Sequence, residues 1–178
     1  QFTLPTYSVS NKGLEGVCYD PDGNNGQGVF YSVQERSPMK VFAFNRPANG
    51  DDADYSGANL ELFDAETTFN GIATDLSFNR ITGRLLLISD ESSKIIDVDR
   101  NGNIVETLDL ADENSGGAPQ YEGITLGQNN DVVISSEPNW ARIYRLNAND
   151  AGTPPSIATA TLAEGTTGMA YSARLAAQ

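Results

Sequence analysis

The sequence predicts an all-β chain built as a β-propeller, with about three four-stranded antiparallel blades plus one extra strand, and so a partial ring. Three observations predict it. A short opening segment recurs as LEGVCY (14–19), ATDLSF (73–78), YEGITL (121–126) and TTGMAY (166–171), with starts 45 to 59 residues apart. Each of the first three copies is followed by a turn rich in Gly, Asn and Asp and then by a continuous apolar run, the mark of a strand buried on both faces. No stretch shows sustained helical periodicity.

In the first unit, LEGVCY leads into DPDGNNGQG (20–28), whose residues tolerate positive φ and therefore favour a hairpin. The apolar run GVFYSV (28–33) follows, then a third strand MKVFAF (39–44) and a fourth LELF (60–63). Between them PANGDDADYSGAN (47–59) reads as an acidic, Gly-rich surface excursion. A calcium role for its Asp51, Asp52 and Asp54 is weighed against an ordinary solvated loop, and the loop is preferred. The second unit runs through NRITGR (79–84), LLLIS (85–89), KIIDVD (94–99) and IVETLDL (104–110). Its third and fourth strands are joined by DRNGN, in which Asn-Gly signals a two-residue hairpin. The third unit follows the loop ADENSGGAPQ (111–120) and contains GQNND (127–131), DVVIS (131–135), RIYRL (142–146) and SIATATL (156–162).

The whole chain, 1–178, is thus one propeller-like domain with blades at about 14–63, 73–110 and 121–162 and an extra strand at 166–171. Propellers close with about four to eight blades, so three readings stand: part of a longer ring, two copies sharing one ring, or an arc covered by a partner.

Composition narrows the chemistry. The 178 residues carry 24 acidic and 11 basic side chains, a net charge of −13 and a pI near 4.2, which repels nucleic-acid phosphate and anionic lipid and attracts cations. The absence of histidine removes Ser-His-Asp and Cys-His catalysis and histidine metal sites. The one cysteine, Cys18, lies in an apolar run and reads as a buried inert thiol. No run approaches the roughly 18 apolar residues of a membrane span. The sequence opens at Gln1 without an initiator methionine, which suggests an upstream segment removed or left out and points to export.

The words GLEGVCYDPDG, LLLISDESSKIIDVDRNGNIVETLDL and APQYEGITLGQNNDVVISSEPNWARIYRL resemble the SdiA-regulated-domain (YjiK-like) proteins of bacteria, with Glu-Gly-Ile and Ser-Glu-Pro-Asn the most specific. The resemblance covers about residues 13–146 and implies the second half of a six-bladed propeller. It also implies an exported or envelope-associated, extracytoplasmic protein (secreted, periplasmic or in an organelle lumen), a fold with which calcium is associated, and a looser kinship to NHL, strictosidine-synthase-like and phytase-like propellers.

In a propeller the first strand of each blade lines the central channel, so Glu15, Thr74, Glu122 and Thr167 should point toward one axis. Two carboxylates and two hydroxyls would form a hard oxygen set suited to calcium, the candidate cofactor. By resemblance, Glu15 and Glu122 are its foremost members. The competing reading is that each Glu accepts backbone amide hydrogen bonds from a neighbouring blade and so locks blade to blade. Glu35, Glu91, Glu137 and Asn139, at the ends of the second strands, are rim candidates with the same two readings. Pro138 and Asn139 also make SEPN a strand-ending corner. Trp140, Tyr144 and Phe42 could floor a ligand site, with packing between blades the preferred alternative.

The favoured function is an acidic extracytoplasmic binding or assembly module, with calcium as a candidate, that meets a protein partner or a second copy completing the ring. The alternative is a calcium-assisted hydrolase of an ester, lactone or phosphoester. Against the hydrolase, Thr74 stands where a third glutamate is expected, and Lys40, Lys94, Arg36 and Arg142 are scattered over separate blades.

Overall fold

In the computed structural model the described residues are 2–4, 13–35, 38–47, 52–66, 73–110, 120–127, 131–137 and 140–145. The expected strands at 156–162 and 166–171 lie outside them, as do Thr167, Asn139, Pro138, Arg36 and Asp51.

Thirteen strands are described, and eleven of them form three antiparallel blades. The first blade has the order β2 (Leu14–Asp20), β3 (Val29–Gln34), β4 (Lys40–Asn45), β6 (Glu61–Asp64). The second is β7 (Asp75–Asn79), β8 (Arg84–Ser89), β9 (Lys94–Val98), β10 (Ile104–Asp109). The third shows β11 (Gln120–Leu126), β12 (Asp131–Glu137) and β13 (Trp140–Arg145). Strand follows strand by hairpin connection, as the repeated turn chemistry requires. Asn24 and Asn25 take φ of 50° and 57° in the one-turn helix α1 (Gly23–Gly26) within the first turn. Among the described residues no helix is long and apolar enough to cross a membrane.

Blade packing explains the apolar second strands. Along β8, Leu85 and Leu87 join a core shared with the first blade, with Val33, Val41 and Tyr31. Leu86 and Ile88 point the other way, into a core shared with the third blade, with Ile124, Ile134 and Tyr144. Side chains alternate across a strand, so a strand with neighbours on both faces is apolar throughout.

Two expectations are corrected. The 47–59 segment is not only a surface excursion, since β5 (Ala53–Asp54) pairs in parallel with β1 (Phe2–Thr3). Tyr55 anchors it by donating its hydroxyl to the Asn45 carbonyl at 2.6 Å. The two-residue hairpin expected at Asn101-Gly102 is a longer connection, residues 99–103. There the Asp99 carboxylate accepts the backbone N–H of Asn101 and of Asn103, and Gly102 alone takes positive φ, at 82°. Gly102 also lies against the Phe63 ring, where an added Cβ would come within 2.8 Å.

Candidate functional site

The opening strands β2, β7 and β11 stand side by side along the axis. In β2, Leu14 pairs with Gln34 but Gly16 pairs with Val33, so Glu15 is the extra residue of a β-bulge. In β11, Tyr121 pairs with Ser136 and Gly123 with Ser135, and Glu122 is skipped in the same way. A bulge breaks the alternation of side chains and re-aims one of them. The repeat therefore places two exposed glutamates at equivalent irregularities, at the end of the blades where β3, β8 and β12 finish.

Thr74, their counterpart in the second blade, has another role. Its hydroxyl donates to the Tyr121 carbonyl at 2.7 Å and its N–H donates to the Ile88 carbonyl at 2.9 Å, so it fastens the second blade to the third. It is a blade-to-blade lock, made by a threonine donating to a carbonyl rather than by a glutamate accepting backbone N–H groups.

Electrostatics ties the end face together. The Glu122 carboxyl titrates above its ordinary value, first because of partial burial and then because the charges of Glu137, Asp90, Glu15 and Glu35 disfavour a further anion. Four of the predicted residues thus share one field, and Glu91 is exposed in the adjoining β8–β9 turn. Sequence reasoning missed Asp90. Its Oδ1 accepts the Tyr121 N–H at 3.0 Å across the blade boundary, and the Ser-Asp-Glu-Ser word around it was the available signal.

A shared field is not a coordination shell. Among the described residues no three Asp, Glu or Cys side chains come close enough together to hold a metal ion. Of the calcium set expected from Glu15, Thr74, Glu122 and Thr167, the two carboxylates are therefore not part of a group of three among the described residues and Thr167 lies outside them, and no chemistry is derived through calcium.

Below this face the three opening strands enclose a cleft of about 310 Å³. Asp75 is its one carboxylate, at the position where the other two blades carry Gly16 and Gly123. Its Oδ1 accepts the Leu76 N–H and its Oδ2 the Ile124 N–H, both at 2.8 Å, so it bridges the second and third blades. Burial raises its titration, and those two hydrogen bonds oppose the rise. A Cβ on Gly16 would lie 2.1 Å from the Asp75 Oδ1, so only glycine fits there. The repeat held the signal, an acidic residue where glycine otherwise stands. In the same cleft Cys18 has its thiol pushed up to about 12 by burial, then by the charges of Asp75 and Asp20. It stays protonated at neutral pH, as expected of an inert thiol.

At the opposite end Arg80, Arg84 and Arg100 are paired with aspartates. Arg100 donates to the Asp20 carboxylate at 2.8 Å and to the Tyr31 hydroxyl, and its guanidinium lies 5.4 Å and 5.3 Å from the Tyr31 and Phe78 ring centroids. Arg84 grips Asp97 through two hydrogen-bonded contacts, at 3.0 and 2.7 Å. The aromatic floor does not form. Phe42 and Tyr144 are buried in different blades, and Trp140 packs edge-on against Tyr121, with centroids 6.0 Å apart and planes at 86°.

Antiparallel blades that pack face to face around an axis lined by their opening strands define a β-propeller. The SdiA-regulated family model matches residues 1–147, and the chain belongs to that family. Among solved structures, a streptogramin B lyase is similar at 21% identity and a TM-score of 0.54, over 87% of this chain and 42% of that one. A chain of a nidogen/laminin complex is similar at 14% identity and a TM-score of 0.52, over 75% and 43%. A protein of unknown function from Bacteroides caccae is similar at 14% identity and a TM-score of 0.50, over 84% and 46%. This chain therefore spans less than half the length of each, and the likeness is one of fold.

Proposed function

We propose that this propeller is a binding module whose acidic end face recruits a protein partner through basic groups. The observation that carries the reading is the convergence of Glu15, Glu35, Asp90, Glu122 and Glu137, from all three blades, into one field felt at Glu122. Clustered charge of one sign raises the local concentration of opposite charge and steers its approach. The fold itself favours neither binding nor catalysis, since one similar chain is a lyase and another comes from a complex. Calcium-assisted hydrolysis of an ester, lactone or phosphoester would need a coordination shell, which the described carboxylates do not form. An extracytoplasmic setting belongs to the same proposal. It rests on the acidic composition and the shielded single cysteine, and subcellular fractionation checks it.

The test is titration with a lysine octapeptide, followed by the fluorescence of Trp140, which pairs with Ser136 beside this face. Binding should weaken steeply as ionic strength rises from about 0.01 M to about 0.15 M. It should fall several-fold in Glu122→Gln and stay near wild type in Glu106→Gln, which removes the same charge from the exposed strand β10. Equal losses in the two variants would show a response to net charge alone and sink the reading.

A further inference from the structure

We propose that the axial cleft is a second, separate binding site, for a small primary alkylammonium ligand with Asp75 as its counter-ion. The first support is a comparison of half-buried and buried carboxylates. Asp20 and Asp97 each receive a guanidinium, from Arg100 and Arg84. Asp75, also withdrawn from water, has no cationic partner among the described residues and is held only by two backbone N–H groups. A carboxylate removed from water without a counter-charge is costly, and a cation that enters beside it recovers part of that cost.

The second support is space. The cleft of about 310 Å³ lies at the lower end of the range of small-ligand sites, and Val17, Thr125 and Leu126 contribute its walls around Asp75. Gly16 and Gly123 keep side chains away from the carboxylate, since a Cβ on Gly16 would collide with it. Val17 is 63% exposed, so the cleft opens to solvent and a ligand can enter.

Hydrogen-bond geometry selects the ligand class. Each Asp75 oxygen already accepts one N–H, from Leu76 on its own strand and from Ile124 on the next blade. A carboxylate has about four acceptor positions, so roughly one remains on each oxygen. A guanidinium fork needs both oxygens presented together, whereas an ammonium donates singly and has two further protons for water or the Thr125 hydroxyl. The alkyl chain would lie along Val17 and Leu126.

The experiment is an NMR titration of the full chain, reading the Leu76 and Ile124 amides, with n-butylammonium and with n-butanol, its uncharged counterpart of equal size. Butylammonium should give saturable shifts and butanol none of comparable affinity. Asp75→Asn should raise the half-saturation concentration by at least about tenfold, the scale of one charge-assisted contact. Val17→Phe, an exposed position that projects into the cleft, should block the ammonium even if Asp75→Asn folds poorly. Glu122→Gln should stay within about twofold of wild type, which separates this site from the end face. Equal binding of the alcohol, or wild-type affinity in Asp75→Asn or Val17→Phe, overturns the proposal. Loss in Glu122→Gln with retention in Asp75→Asn would move the cation to the end face and also overturn it.

Discussion

At the residue scale, Asp75 and Glu122 carry the same sign of perturbation for different reasons. Burial is the leading cause in both, but Asp75 is opposed by hydrogen bonds while Glu122 is reinforced by like charges. A carboxyl raised above its unfolded value binds its proton more tightly when folded. Its stabilising contribution is therefore complete at low pH and is lost as pH climbs from the ordinary value near 3.8 through the folded one. Subtracting the Asp75→Asn unfolding curve from that of wild type isolates this component. The difference should favour wild type more at pH 4 than at pH 7, and a difference that is flat or grows with pH would refute the assignment. Asp22, Asp54 and Asp99 act in the opposite direction, since hydrogen bonds to their ionised forms lower them, so the raw stability of wild type alone would not show the effect.

At the scale of elements, β8 shows what blade packing demands of one strand. Leu86 and Leu87 point to opposite faces, yet each enters a closed core, at 4% and 0% exposure. Replacing either by alanine should cost about 2–5 kcal/mol in chemical denaturation, whereas a strand with one solvated face would show the loss at only one of the two. That pattern was legible in LLLIS because continuous apolarity has few other causes. The opening strands were legible for a related reason, as Glu15-Gly16, Thr74-Asp75 and Glu122-Gly123 hold equivalent places at the head of each repeat. The pairing of β1 with β5 was not, because two-residue strands distant in sequence leave no periodic trace. Nor could the sequence say that Thr74 would bond Tyr121 or that Asp75 would bond Ile124. Both contacts depend on how close the next blade stands, and that distance is set by Gly16, Gly123 and the core beneath them.

At the scale of the molecule, the charges separate into two regimes. One end joins aspartate to arginine across blades, through Asp20 with Arg100 and Asp22 with Arg80, so charge there helps hold neighbouring blades together. The other end sets Glu122 in the repulsive field of four further carboxylates, Glu137, Asp90, Glu15 and Glu35. With a net charge of −13, this repulsion works against the compact state and should be relieved by salt. Screening shortens from about 30 Å at 0.01 M to about 8 Å at 0.15 M, so the melting temperature should rise over that interval. If the end face is where the repulsion concentrates, Glu122→Gln should raise the low-salt melting temperature and flatten the salt response. Glu106→Gln, with the same change in net charge on an exposed outer strand, should do so far less. Equal flattening would mean that repulsion is spread evenly over the surface. A larger effect at Glu122 would locate it at the face where the three opening strands begin, which is the property a cation-seeking partner would use.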